Sequence, residues 1–403
     1  MTSDSVLIAG AGIGGLVAAL ALARRGLRVT LFDQMEKLEE AGAGIQLAPN
    51  ATRILVALGL AERLKPTLVQ PSAIRLRSGP SGGDIATMQL DAATLARYGA
   101  PYWVIHRADL HKALIEAVAG EPQIALMLGA TVGNFTIDAT GVRATVHRGS
   151  SARAETDYEG AALIGADGLW SRMRALLGDG TPPRFAGRGA FRAIVPAAQL
   201  PPQDREPVVN MWMGPDGHLV HYPVRAGAAV NIVAVCSDAW PSTTWNTRAE
   251  RDDVLERFPA SAWAPAARQL LEAPERWQKW ALYDREPSAS WGRGPVTLLG
   301  DAAHPMLPFL AQGASMAIED AAVLAHELAR LPDDRNAALR HYETVRRPRT
   351  ARVQRASRRA NFQFHLRGPA AFARDAVLRA LGGERLLAHY DWIYRWRPQV
   401  RDL

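Results

Sequence analysis

Two groups of residues, near the two ends of the chain, have types and spacings suited to holding a nucleotide. Gly10, Gly12 and Gly15 stand at the spacing G-x-G-x-x-G, with Gly14 in the same turn, between an apolar run at 6–9 and a helix-forming run at 16–25. In such a turn the first glycine permits the bend, the second lets a pyrophosphate approach bare backbone, and the third lets helix and strand pack closely. Asp33 ends the next apolar run, 27–32, where a carboxylate can accept from a ribose hydroxyl. Far downstream, Gly300 and Asp301 put a second carboxylate at the end of the strand-like run 296–299. Pro305 and Pro308 punctuate the loop that follows, and a helix begins at Gly313-Ala314, offering uncapped amides to an anion. FAD and NAD share the strand–helix–strand unit, so these residues alone leave the cofactor open.

Several elements must position this chemistry. A glycine-rich αβ loop spans 41–50, with Gly44, Ile45 and Gln46, and a helix follows at 51–58. Two extended runs, 73–77 and 85–90, make a hairpin excursion. Arg107 stands just before a helix for which Asp109 is the candidate cap. Strands are expected at 124–128, 131–137 and 142–148, and the buried run 162–166 delivers Asp167-Gly168 to a turn where Ser171 caps a short helix. Four strands of a separate, mostly antiparallel sheet read at 190–196, 208–213, 217–224 and 229–236. The two-residue period puts His218 and Tyr222 on one face and His221 on the other, either lining a pocket for a phenol or standing as satisfied core polar groups. The run 277–285 reads as an extended return to the first domain, followed by helices at 314–330, 335–361 and 370–381 and an aromatic tail at 391–396. The expected division is 1–180 and 286–330 for the nucleotide-binding domain, 181–285 for the sheet domain and 331–403 for a helical region.

Composition narrows the class. At 403 residues, with 48% hydrophobic and 22% charged residues, the chain is expected to be globular and to hold two or three domains. The single cysteine, Cys236, precludes an internal disulfide and a multi-cysteine metal site; it sits in an apolar run and suits a reducing compartment, the cytoplasm. Only four of the 47 basic residues are lysines, and the net charge of +7 is scattered apart from the helical run 346–359, which speaks against nucleic-acid binding and leaves a mild attraction for anionic substrates. The uncharged run 6–23 is broken by glycines and preceded by Asp4, so neither a membrane span nor a signal peptide is expected.

Taken in order, the glycine turn, Ile105-His106-Arg107, Asp167-Gly168 and Gly300-Asp301-Ala302-Ala303-His304-Pro305 resemble the class A flavoprotein aromatic hydroxylases over nearly the whole chain. Residues 42–50, 218–223 and 312–314 are most similar to the salicylate, 3-hydroxybenzoate and 6-hydroxynicotinate branch. The resemblance implies an α/β fold, α+β overall and p-hydroxybenzoate-hydroxylase-like, with a Rossmann-like FAD-binding domain, an interleaved antiparallel-sheet substrate domain and C-terminal helices. It implies tightly bound FAD, with Asp33 on the adenosine ribose, Arg107 near the flavin–ribityl portion, Asp301 on a ribityl hydroxyl and Asp167 in the binding framework. NADH or NADPH would serve as a transient co-substrate, since no second glycine fingerprint exists, and the resemblance favours NADH. O₂ would add at flavin C4a, and the hydroperoxide would pass oxygen to an electron-rich ring. The helix at Gly313-Ala314 would stabilise the reduced flavin's charge. His218, or Tyr222, would act as base or relay, Arg192 would hold a phenolate or carboxylate, and Gln46, Met211, Pro308 and Phe309 would line the substrate pocket.

One departure bears on substrate. Hydroxynicotinate-hydroxylating relatives tend to carry histidines where this chain has Gln46 and Phe309, which favours a salicylate-type or other hydroxybenzoate over a pyridine. A flavin-dependent halogenase does not fit, because 191–196 reads Phe-Arg-Ala-Ile-Val-Pro and no lysine is well placed. A non-oxygenase NAD(P)-dependent oxidoreductase or a non-catalytic NAD(P)-binding regulator is separated by colour: a flavoprotein is yellow. The sequence leaves monomer and homodimer both open.

Overall fold

The computed structural model describes residues 5–37, 43–149, 155–239 and 247–398; Asp4, Ala41, Gly42 and Trp240 lie outside the described residues. Two sheets organise it. The first has five parallel strands in the order Val296–Leu298, Ala162–Gly165, Ser5–Ala9, Arg28–Asp33 and Ile124–Leu128. Two of the central strands, Ala162–Gly165 and Ser5–Ala9, are almost continuously apolar, as strands covered on both faces must be. Helices Ile13–Ala23, Arg107–Ala119 and Gly313–Arg330 share one core with them.

The second sheet has eight strands in the order Thr247–Glu250, Arg276–Asp284, Arg184–Pro196, Ala229–Ser237, Gly217–Val224, Val208–Gly214, Ala73–Ser78 and Asp84–Gln89. The expected hairpin excursion is thus an edge of this sheet: Ala73–Ser78 pairs with Val208–Gly214, in parallel. The run expected to return to the first domain, Arg276–Asp284, is also a strand here, paired with Arg184–Pro196 and Thr247–Glu250.

Two further differences have local causes. Gly44–Leu47, expected as loop, is a strand paired antiparallel with Trp103–His106; four residues are too few for the period to declare itself. The meander of Ala130–Asp138 and Gly141–Arg148 has a third strand, Glu155–Gly160, whose residues are mostly exposed and so look like a polar loop in sequence.

Behind the Gly300–Gly313 loop lies a buried ion network. Helix Gly313–Arg330 presents Glu319 and Asp320, both fully buried, to Arg346 of helix Arg335–Phe364, also fully buried. Arg346 Nε donates to Asp320 at 2.7 Å and Nη1 to Glu319 at 2.6 Å. Arg349 adds two bonds to Glu319 and two to the Trp392 and Ile393 carbonyls. Asp320 also accepts from the Gly300 amide at 3.0 Å and bonds His304. The aromatic tail therefore packs on its own chain, with Trp396 under Arg346 and Arg349. Among the described residues no helix is long and apolar enough to cross a membrane.

Removing one partner of a buried ion pair leaves its counterpart charged and unpaired, at a cost of about 3–5 kcal/mol. Arg346→Met is expected to lower the thermal midpoint by more than any exposed Arg→Met control, as read by differential scanning fluorimetry. Burial pushes the Asp320 carboxyl up, but His304 and Arg346 outweigh it and hold the group at about 2. Its unfolded value is near 3.9, so its stabilisation is complete above about pH 4 and is lost as pH falls through about 2. Asp320→Asn is therefore expected to reduce stability at pH 7 and to flatten the acid limb of the melting curve below pH 4.

Candidate active site

The glycine turn is shaped by contact on two sides and left open on the third. Gly10 has φ +109°, and a Cβ there would meet the Ala166 carbonyl oxygen at 2.4 Å. A Cβ at Gly15 would sit 1.9 Å from the Gly10 oxygen, so strand and helix cross as closely as backbone allows. At Gly12 nothing lies within 4 Å, and the helix it begins has no side-chain cap. This is an open cradle of amides. Gly14 does not face the cradle; its Cβ would meet Leu299 at 2.8 Å and Ala317 at 3.2 Å, so it is a packing glycine. Asp33 accepts from the Ala11 and Met35 amides at 2.7 and 2.9 Å, which bends the chain back toward the turn. Asp167 spends both oxygens on Ser171 and the Met173 amide, and Ser171 caps the helix as expected. Asp109 is no cap: His106 takes that position, and Asp109 lies in the first turn, 3.9 Å from Arg225.

Asp301 projects from the 3₁₀ turn Gly300–Ala302 into the cleft and is solvent-facing there. The surrounding walls raise its carboxyl above the ordinary range, against the pull of His304 and Arg107. The helix Gly313–Arg330 starts beside it: a Cβ on Gly313 would be 4.0 Å from Asp301 Oδ1. Gln312, at the cap position, does not cap, because its side-chain oxygen accepts from Asn50 at 3.0 Å. The first bond back to Gln312 comes from Met316, at 2.8 Å, so the amides of 313–315 have no intrahelical acceptor.

Opposite this cleft is one face of the eight-stranded sheet. Register sets Met211, Val220, Val233, Arg192 and Gln278 side by side across five strands. Tyr222, Asn231 and Ile194 form the next row on that face, and His218, Val235, Ala190 and Trp280 the row on the other side. His218, Tyr222, Arg192 and Met211 thus share a face, although they come from three strands. The strand Gly44–Leu47 packs tightly on this sheet: Gly44 donates to Asn231 at 2.7 Å, and a Cβ there would strike Asn231 and Tyr222 at 2.6 and 2.7 Å. Gln46 accepts from Tyr102 at 2.8 Å and faces Tyr222, whose hydroxyl burial pushes up. Tyr98, Tyr102, Tyr390 and Tyr394 join Tyr222 in one apolar cluster, so the C-terminal tail is part of this wall. Ile45 packs half-buried on the neighbouring core.

His218 is 5% exposed, with Phe309 edge-on at 5.5 Å, and burial, then His365, pushes its imidazole well below its ordinary value. His365 is the residue that sequence reasoning missed. It lies 147 positions away, just past a helix expected to stop at 361, and nothing in the sequence ties it to His218. His221 points the other way, as alternation requires, and accepts from Trp212 at 3.2 Å. Arg192 lies over the Trp280 ring at 4.4 Å, its Nε without a partner, held down at about 10 by burial and then Arg107. Beside it opens a cavity of about 720 Å³ lined in part by His106, Ile194, Arg225, Arg248, Arg276 and Gln278, a cationic mouth that attracts anions. Pro308 is exposed at the cleft and Phe309 buried behind it. Cys236 is buried, and among the described residues no group of three or more His, Cys, Asp or Glu could hold a metal ion.

Residues 3–357 match the model of the FAD binding domain family. The chain belongs to that family. It is 40% identical to 3-hydroxybenzoate 6-hydroxylase 1 of Aquipseudomonas alcaligenes over 393 residues, 97% of each chain. A salicylate hydroxylase solved as a substrate complex superposes with a TM-score of 0.82 at 29% identity, covering 98% of this chain and 96% of that one. HpxO of Klebsiella pneumoniae, solved with FAD and uric acid, gives 0.83 at 26% identity over 96% of both chains. The residues present fit FAD: an open Gly12 cradle for a diphosphate, a solvent-facing carboxylate at Asp301, and uncapped amides at 313–315 near it. These observations separate two glycines that look alike in sequence. Gly12 has ordinary φ, −69°, and open space, so Gly12→Val is expected to keep the fold and lose FAD. Gly15→Val, jammed against the Gly10 carbonyl, is expected to lose the fold itself. Visible flavin absorbance and thermal melting, read together, check both outcomes.

Proposed function

We propose that this chain is an FAD-dependent monooxygenase that uses NAD(P)H and O₂ to hydroxylate a phenolic aromatic carboxylate, 3-hydroxybenzoate first among the candidates. The observation that carries the reading is the shared sheet face: a histidine and a tyrosine from one strand and an arginine from another face the cleft that holds Asp301 and the uncapped amides. Bound FAD supplies the activated oxygen, drawing electrons from NAD(P)H.

The chain's own residues do the rest. Gly12 and the helix behind it would receive the diphosphate, with Asp33 holding the adenosine ribose and Arg107 and Asp301 the ribityl chain. The amides of 313–315, Gly313 and Ala314 first, lie at the positive end of an 18-residue helix and would stabilise negative charge on the reduced flavin. Arg192, with an unsatisfied Nε in a half-buried position, pairs with the substrate carboxylate. His218 takes the phenolic proton, which makes the ring electron-rich, and Tyr222 with Gln46 orients the oxygen. Met211 and Phe309 exclude water, and Pro308 holds the loop. A ring lined by Gln46 and Phe309 suits a benzenoid better than a pyridine. We place the enzyme in the cytoplasm, as a monomer or homodimer, with NADH as reductant.

The test is NADH and NADPH oxidation by the yellow holoenzyme across 2-, 3- and 4-hydroxybenzoate and 6-hydroxynicotinate, with product identification. Hydroxylated product is expected from a hydroxybenzoate, and oxidation without product from the pyridine. Failure to take up FAD, or no hydroxylated benzoate from any member, overturns the reading. His218→Ala is expected to keep FAD and slow hydroxylation by about 10²–10⁴-fold, the usual worth of a positioned base. An unchanged rate and coupling in that variant removes His218 from the reaction.

A further inference from the structure

His218 has a partner that leads away from the cleft. Its Nδ1 lies 2.8 Å from Nε2 of His365, with the rings 5.0 Å apart and tilted by 30°. His365 is 6% exposed, and Phe309 and Phe364 pack edge-on against the His218 ring, so the pair sits in a dry aromatic sleeve. Two imidazole nitrogens at that distance share one proton, and only one of them donates it. For His218 Nε2 to accept a proton, its own must sit on Nδ1, which then donates to His365 Nε2 and leaves the His365 proton on Nδ1, a buried nitrogen with no partner in hydrogen-bond geometry.

We propose that His365 is the outer half of a two-histidine proton path, a positioning residue that sets the tautomer of His218 and carries the substrate's hydroxyl proton toward solvent. The proposal rests on the hydroxylase reading above. The phenolic O–H bond breaks as a proton joins His218 Nε2. The proton on His218 Nδ1 passes to His365 Nε2, and the one on His365 Nδ1 leaves to water past Leu366 and the exposed Arg367. The sum is one phenolate and one proton in solvent, with both rings neutral and their tautomers exchanged. When the product oxygen is reprotonated, the same transfers run backward and restore both tautomers.

The surroundings keep the proton moving. Arg188, on the strand Arg184–Pro196, faces both rings, and Arg374, on the helix Gly368–His389, faces His365. The other charges near the outer end are paired: Arg367 with Asp216, and Arg374 with Asp375. Burial and then Arg188 hold His365 at about 3, so a proton passes through the ring without resting on it at neutral pH.

The test uses FAD-loaded holoenzyme of the parent, His365→Gln and His365→Ala. Gln can accept from His218 Nδ1 and hold its tautomer, but it cannot relay. Both variants are expected to keep FAD and to bind substrate within about threefold of the parent. Both should hydroxylate at least tenfold more slowly at pH 7, recover toward the phenolic pKa, and show a weakened phenolate band in the difference spectrum of bound substrate. Added imidazole should rescue Ala and not Gln. Parental rates and pH profiles in both variants overturn the proposal, as does full activity in Gln alone, which would leave positioning without relay. Loss of FAD by both variants overturns it in favour of a packing role. A parent that hydroxylates no hydroxybenzoate sinks the hydroxylase reading, and this proposal with it. A parent that turns over while the variants match it sinks only the relay.

Discussion

The structure turns on a charge cluster that never reaches the cleft. Glu319, Asp320, Arg346 and Arg349 lie beneath the loop that presents Asp301, and Asp320 reaches through to the Gly300 amide and His304. Buried charges are tolerated only when fully paired, and here each carboxylate is met by arginine and by a further donor: Glu319 takes Asn50, and Asp320 takes backbone. The pairing forces three things at once. Helix Gly313–Arg330 cannot slide on helix Arg335–Phe364; the positive-φ turn at Gly300 is pinned; and the helix start at Gly313 is aimed by a network that leaves its own amides free.

That pinning explains why the two halves of the site meet. The cleft side is built on the parallel sheet and its helices, while the sheet face carrying His218, Tyr222 and Arg192 belongs to another core. Asn50 bonds both Gln312 and Glu319, and six residues earlier Gly44 hooks onto Asn231 of the other sheet. Arg53 on the next turn bonds the Tyr98 and Tyr394 carbonyls, and Arg349 holds the tail from the opposite side. One short segment thus registers the cleft, the sheet face and the C-terminal wall against one another.

Much of the first half was legible because its signals are local. Gly10 is fixed by its positive φ, Gly15 by clearance from the Gly10 carbonyl and Asp33 by a hydrogen bond from the Ala11 amide, all within one βαβ unit, and such constraints show as residue type and spacing. Gly14 shows the limit: adjacent to Gly15 and equally bare, it serves helix packing against Leu299 and Ala317, which sequence cannot separate from ligand contact. The Gly44–Leu47 strand and the Glu155–Gly160 strand escaped notice for a related reason. One is too short to show a period, and the other is too exposed to show apolar alternation.

The sequence by itself determined the nucleotide turn and the assignment of His218 and His221 to opposite faces, because each depends on chemistry within a few residues along the chain, while the order of its motifs along the whole chain carried the fold class. Tertiary structure alone decided which distant residues became neighbours. It made the hairpin Ala73–Gln89 an edge of the large sheet, folded the aromatic tail onto Arg346 and Arg349, and put His365 against His218 across 147 positions. The physical reason is the same in each case: a contact made by packing two cores leaves no periodicity, cap or turn residue in either partner's own stretch of chain.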